Sequence, residues 1–541
     1  MESWAQDRAE NVDPLVLESW LSAESENLTP LELLLRVWAA YAGDATGPRI
    51  LDSISAHIRR LAPANTPSAA LESLAMEVML TAQPLFDPRH ARAWVKEFEL
   101  PDEAVSLSDE EDLGKAEEAP VPERSAKPRR GSAKPPTPTP GLLGRLASSG
   151  LLVSHLDNKM RFVHPVFGGY LAGRALSGYK AQDTLLNQPD WIGKLLAMRY
   201  LASQGDMGSL VAASMLEWSR LPMQRPLFTA ARWLRDSPPQ ARWRGQLMSA
   251  LALQLQTEGL PLAHRAQALS ALVTSEDPGA AVLFRQFLNT LSFELMALAA
   301  LGSGAVRDVK AVPSLVGILE TPSSSARRAA CLALVSIGTT EALEGVAKAL
   351  LHGDEELRRA AAEALANDPG EGHAMLKDGV TMKDILLRRA AVYGLARVHE
   401  AWADEMLEKV RVDDDQWVVR NSAHEVIEAR NIAADPRVPR PLQPPSASPW
   451  LIAFAATQGI GISPGAPATD VLLAALKSPR IEDRLGALEY LKQNPTDGII
   501  KGIYGVMFGD DTEAREAAYL TLWEVGASGY KLPHPSQFGF G

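Results

Sequence analysis

Few residues of this 541-residue chain stand in patterns that could do chemistry. Gly461-Ile462-Ser463-Pro464-Gly465 matches the G-x-S-x-G elbow that presents a nucleophilic serine. That elbow builds its oxyanion hole from the backbone N–H of the residue after the serine, and Pro464 has none, so the pentapeptide reads as a loop. The one cysteine, Cys331, lies in AACLALV on the apolar side of a helical pattern and reads as core. The 10 histidines are dispersed, with no pair at i, i+4 on one helix, so no HExxH-type metal site is spelled out. The acids of 109–112 and Asp413–Asp415 lack the glycine and terminal glutamate of a calcium loop. Gly114-Lys115 and Gly193-Lys194 lack both the following Ser/Thr and the glycine five positions earlier that a phosphate-cradling P-loop requires. Two places keep their interest. His164 opens a helix, where an imidazole N–H can hold and release a phosphate oxygen, or simply pack and hydrogen-bond. Trp417, beside Arg420 in a repeat loop, is a candidate partner contact, and both are residue types that anchor protein interfaces.

The elements that would position these residues are almost all helical, because apolar side chains recur at helical spacing and alternating strand patterns are scarce. A repeat is visible in ARRAACLALVSIG from Ala326, LRRAAAEALA from Leu357, LRRAAVYGLARV from Leu387 and VRNSAHEVIEA from Val419. Their arginines, Arg327, Arg358, Arg388 and Arg420, lie 31, 30 and 32 residues apart. The pattern returns at Arg484 and Arg515, again 31 residues apart. Shorter amphipathic stretches (311–319 and 342–351) alternate with these helices, so each unit is a helix pair that buries its apolar stripe only against the next unit. Gly338 is placed to stop one helix in the left-handed conformation. An acid precedes the arginine by about a helical turn in Asp354–Arg358, Asp384–Arg388, Asp415–Arg420 and Asp511–Arg515. Such an acid caps the helix start, and the arginine can bridge to the acid of its own or an adjacent unit.

Residues 141–176 have a different texture. A short helix over Leu142–Ala147, an apolar run Leu151–Val153, a turn at Asp157-Asn158, an alternating Met160–Val163 and a helix from Pro165 to Leu176 spell helix, two-stranded wing, helix. Residues 101–140 carry almost no large apolar side chains. Their first part, 101–123, holds nine acids against Lys115, and a basic run with prolines follows; such a stretch is expected to be disordered. Residues 434–449 form a second, proline-rich connector. The expected organisation is an all-α chain. A helical domain (1–100), the disordered linker (101–140), a winged-helix-like module (141–180), an α-solenoid of helix pairs (181–433), the proline-rich linker (434–449) and a C-terminal helical segment (450–541) follow in order.

Composition narrows the function classes. With 54 basic and 66 acidic residues the net charge is −12, a poor match to nucleic-acid phosphates. A single cysteine excludes a disulfide framework and multi-cysteine metal sites. No run of apolar residues is long enough to span a membrane, and the first residues lack the apolar core of a signal peptide, which makes a cytoplasmic location the expectation.

The repeats resemble HEAT repeats of the short, 30-residue kind also found in phycobilisome-lyase-related proteins, over roughly 285–430 and 450–530. FVHPVFGGYLAGRAL resembles the F-x-H-x-x-F-x-x-Y/F-x-A signature that closes the winged helix of NACHT-type STAND NTPases, with Phe162, His164, Phe167, Tyr170 and Ala172 in the matching positions. That resemblance implies that His164 would reach the β-phosphate of ADP in a closed state. NLTPLELLLRVWAAY (27–41) similarly looks like the proline motif opening the first helical domain of that family, which implies that Pro30 would pack on adenine. The departures are Gly168-Gly169, where the family often has Gln-Glu, and Pro165 in place of a polar residue. Lacking a P-loop, the chain would take no cofactor itself and meet ADP or ATP only through a nucleotide-binding core on a separate chain. The leading expectation is a non-catalytic regulatory and sensing module that binds a protein or ligand on the concave face of the 180–430 superhelix, as a split, truncated or standalone relative of such NTPases. The alternative is a HEAT scaffold with no nucleotide link, and an enzyme of the lyase-related group is a third reading. Expected partners are proteins, among them an NTPase core, with no nucleic acid and no membrane.

Overall fold

The computed structural model describes residues 29–47, 49–99, 141–155, 159–177, 184–185, 187–189, 191–205, 207–208, 210–212, 215, 221–434, 449–459 and 466–540. The sequence-predicted linkers 101–140 and 434–449, the turn at Asp157-Asn158 and the Gly461–Gly465 pentapeptide lie outside those residues, apart from the ends of the second linker. The fold is an all-α solenoid with one two-stranded sheet among the described residues. No helix among them is long and apolar enough to cross a membrane. The chain forms two compact units, Met1–Asp206 with Asp236–Pro238, and Met207–Arg235 with Pro239–Gly541.

In the first unit, helices Pro30–Ala42, Ile50–Leu61, Ser68–Leu80 and Pro88–Val95 precede Leu142–Ser148, the strands, Pro165–Leu176 and Ile192–Ala202. The strands Leu152–Ser154 and Met160–Phe162 pair antiparallel with Leu152 opposite Phe162. Phe86 adds a bridge to Met160, so the preceding helical stretch and the helix–strand–strand–helix module share one core. Gly169 and Gly173 let Pro165–Leu176 lie directly on Ile192–Ala202. A Cβ on Gly169 would sit 2.5 Å from the Cβ of Leu196, and one on Gly173 would sit 2.7 Å from the backbone nitrogen of Leu201. The Gly168-Gly169 pair thus has a packing reason here: a Cβ on Gly168 would come within 2.9 Å of the Phe162 ring.

In the second unit the helix pairs stack so that Phe293–Ala305, Ser324–Ile337, Glu355–Leu365, Ile385–Leu395 and Trp417–Ala434 lie side by side. Gly338 ends its helix at φ 69°, the left-handed conformation read from sequence. The acid–arginine motif bridges neighbouring units. Asp384 accepts the backbone N–H groups of Leu386 and Leu387 at the start of its own helix, and Arg358 of the preceding unit donates to its other oxygen at 2.6 Å. Arg327 does the same to Asp354 at 2.5 Å, and Arg484 to Asp511 at 2.6 Å. Arg388 reaches Asp414 at 2.9 Å and Asp415 at 2.7 Å. Each arginine's hydrogen bond holds its partner, Asp354 or Asp384, below the ordinary carboxylate range. The arrangement extends upstream of the visible repeat: Asp277 caps its helix through Gly279 and accepts Arg244, and Arg265 pairs with Glu294.

The C-terminal helices do not simply continue the stack. The Glu516 carboxylate accepts the free N–H groups of Leu262 and Ala263 at 2.6 and 2.8 Å, capping Leu262–Thr274 from 254 and 253 residues away. Beside it, buried His264 contacts the Tyr519 hydroxyl through Nδ1 at 2.9 Å and the Gln254 side-chain oxygen through Nε2 at 3.1 Å. Because that oxygen only accepts, Nε2 carries the proton and donates, and the Tyr519 hydroxyl donates to Nδ1. Burial pushes His264 down to about 4.

Two outcomes follow. Arg388→Ala strands the buried Asp414 carboxylate and should lower unfolding stability by about 3 kcal/mol in urea titrations, as expected for loss of one partner of a buried pair. His264 stays neutral when folded but binds a proton when unfolded below its ordinary value of 6.5, so stability falls as pH drops from there toward 4. The loss approaches about 3 kcal/mol. His264→Gln should flatten that part of the curve, and an unchanged slope would assign it to other groups.

Candidate docking surface

The residues singled out in the sequence occupy separate places. His164 is the N-cap of Pro165–Leu176, its Nδ1 accepting the Val166 N–H at 3.2 Å. The neutral ring therefore carries its proton on Nε2. The ring is half-buried and edge-on to Phe167, which stacks on His57, and burial lowers its pKa. Pro30 is the exposed first residue of its helix, behind a Thr29–Glu32 capping box whose glutamate also receives Arg199 at 2.9 Å. No hydrogen bond or ring contact among the described residues joins Pro30 to His164. The same helix turns Leu34, Trp38 and Tyr41 to solvent.

Trp417 and Arg420 belong to the second unit and stand on the helix Trp417–Ala434 rather than in a loop. Trp417 is its first residue and 67% exposed. Arg420 occupies the position of the bridging arginines. It donates to the Asp414 carbonyl at 2.5 Å and has no carboxylate partner among the described residues.

Sequence reasoning missed the second arginine of each pair. Arg327, Arg358 and Arg388 turn along the stack to the next cap; Arg328, Arg359 and Arg389, one residue on and so rotated by about 100° around the helix, reach a different face. There Arg328, Arg359 and Arg397 converge on one carboxylate, Glu363, which is 5% exposed against 51%, 52% and 53% for the three arginines. Arg359 lies over the Tyr393 ring at 4.1 Å, and Arg389 lies over the same ring at 5.8 Å. Arg389 also donates to Ser422 at 3.1 Å and pairs with Glu355 at 2.5 Å. Within this cluster four guanidiniums thus share two carboxylates, a local surplus of two positive charges. The signal was in plain sight as the doubled Arg-Arg of ARRAA and LRRAA. The row ends at the next helix, where Asn421 and Glu425 take the equivalent positions and bond to each other at 2.7 Å.

Cys331 is buried and its thiol is pushed up to about 12 by burial, consistent with core packing. Among the described residues no cluster of three His, Cys, Asp or Glu side chains could hold a metal ion.

Comparison with known proteins agrees with the repeat reading over part of the chain. Residues 282–366 match the family of HEAT repeats. The solved structure of human deoxyhypusine hydroxylase in complex with glycerol is similar to this chain at 18% identity. The match covers 52% of this chain and 96% of that one, with a TM-score of 0.25, too low to carry any further comparison. No curated protein matches the sequence.

The cap role of His164 is directly testable. His164→Ala removes the acceptor for the Val166 N–H and should cost about 1 kcal/mol in urea unfolding, while His164→Asn, a good cap, should stay near wild type. Equal losses in both would mean that ring packing on Phe167 outweighs the cap.

Proposed function

We propose that this chain is a non-enzymatic protein-docking solenoid. The observation that carries the reading is the ordered, half-exposed face of arginine and tyrosine side chains held across three HEAT repeats, next to the exposed Trp417 at the start of the following repeat helix. Repeat stacks of this kind present a broad surface whose geometry is set by nearest-neighbour packing, and arginine and aromatic side chains are the usual anchors on such surfaces.

A finer version is supported by the module around His164. In the regulatory part of a STAND-type NTPase, the histidine ahead of the last helix of the winged helix would hold a nucleotide phosphate supplied by another chain. The geometry that favours this is the division of labour on the ring: Nδ1 is used by the cap and Nε2–H remains a donor at the helix start. A protein bound to the solenoid would then act by favouring one conformation of the switch over another.

A photo-crosslinking side chain at position 417, in the full chain and in its own cells, should form adducts with a protein, while the purified chain turns over no ATP. Absence of protein adducts from position 417 and from position 389, together with nucleotide turnover by the chain alone, would overturn the docking reading. For the finer version, His164→Ala should weaken ADP retention when a nucleotide-binding core is supplied in trans. Unchanged retention would remove the phosphate contact.

A further inference from the structure

We infer that the second-arginine row binds an extended acidic protein segment with carboxylates at about every third residue. This rests on the docking reading above and names the partner's chemistry. Arg328, Arg359 and Arg389 are the fifth residues of the helices Ser324–Ile337, Glu355–Leu365 and Ile385–Leu395. These helices pack side by side, so equivalent positions repeat at the interaxial distance of about 10 Å. An extended chain rises about 3.3 Å per residue, so three residues match one repeat.

Charge decides what fits that spacing. Glu363 is saturated by three guanidiniums whose outer edges stay open to solvent, and Glu355 offsets Arg389 alone. A carboxylate arriving from solvent meets planar donors already oriented by Glu363 and by the Tyr393 ring, so little rotamer entropy is lost on binding. On Ser324–Ile337, Leu332 lies one turn beyond Arg328 and is 37% exposed, an apolar contact at one end of the row. A nucleic-acid backbone, charged at every nucleotide, would need positive charge well beyond three repeats.

The probe is a fluorescein-labelled peptide with glutamate at every third position in a Ser/Thr/Val background, titrated by anisotropy against the full chain. A peptide of identical composition with its glutamates clustered is the control. The spaced peptide should bind about tenfold more tightly. Arg328→Gln combined with Arg397→Gln should remove most of that advantage while leaving the melting temperature near wild type, since Arg359 still holds Glu363. Should that pair misfold, Arg389→Gln, whose ion-pair partner Glu355 is exposed, reads the same loss. Glu363→Gln removes the internal competitor and should tighten the spaced peptide, a gain that a merely structural arginine cluster would not give. Equal affinity for both peptides, or an advantage unchanged in a folded variant, overturns the inference. So does tighter binding of single-stranded RNA of equal charge. If the position-417 protein adduct survives in the Arg328/Arg397 variant while the peptide advantage is absent, docking stands and only this assignment falls.

Discussion

From the helix Ser324–Ile337 to Trp417–Ala434, each repeat meets the next through a shared carboxylate. Asp384 satisfies two orphan N–H groups at the start of its helix with one oxygen and holds Arg358 from the previous repeat with the other. Arg358 in turn donates from Nε to the Gly353 carbonyl in the loop before its own helix, so one guanidinium ties a loop, a helix and a neighbouring cap together. The same geometry recurs with Arg484, Ser478 and Asp511 in the C-terminal segment. Helix capping and inter-repeat registration are therefore one interaction, which removes a degree of freedom from the stack. The apolar stripes of the repeats set how closely helices pack, but a stripe of alanines and leucines tolerates sliding. The directional pair between arginine and cap restricts it.

That economy explains why the adjacent arginine is available at all. With the first of each Arg-Arg pair committed to the cap ahead, the second is rotated onto a face where only Glu363 and Glu355 compete for it. Buried Glu363 is not balanced one to one, as a purely structural pair would be. Three half-exposed arginines around it leave charge directed outward, and the Tyr393 ring lies against one of them, Arg359, and against neighbouring Arg389. Stability and surface chemistry are carried by neighbouring residues of the same motif, so substitutions in the two rows should separate cleanly into different phenotypes.

The features legible in the sequence were those with local or periodic causes. The helix from Pro165 to Leu176 and the Gly338 stop rest on turn chemistry within a few residues, and the 30-to-32-residue arginine spacing rests on the repeat itself. The direction of the ladder was not legible: an acid one turn before an arginine suits an intrahelical pair equally well, and only the stacking of neighbours selects the next unit. The upstream pairs Arg244–Asp277 and Arg265–Glu294 were hidden because their arginine-to-acid spacings, 33 and 29 residues, differ from the 26 and 27 of the regular rungs and their helices lack the Arg-Arg-Ala-Ala text. Gly168 and Gly169 read only as departures from a family signature, whereas the approach of Leu196 that requires glycine at 169 depends on the separate helix Ile192–Ala202.

The return of the C-terminal helix had no sequence signal for a similar reason. Glu516 reads as an ordinary surface glutamate of a repeat helix, and Pro261 as an ordinary helix opener that leaves the next N–H groups uncapped; only their meeting makes one the cap of the other. Once they meet, His264 is enclosed between Gln254 on one side and Tyr519 on the other, and burial favours its neutral form. A protonated ring could still donate to both oxygens, but its charge would sit desolvated beside Phe228 and Trp523. The junction thus couples a long-range contact to the charge state of one imidazole, whereas Asp354 and Asp384 in the regular repeats are held below the ordinary carboxylate range by their arginines. Mild acid thus acts on a joint of the second unit that sequence periodicity does not specify.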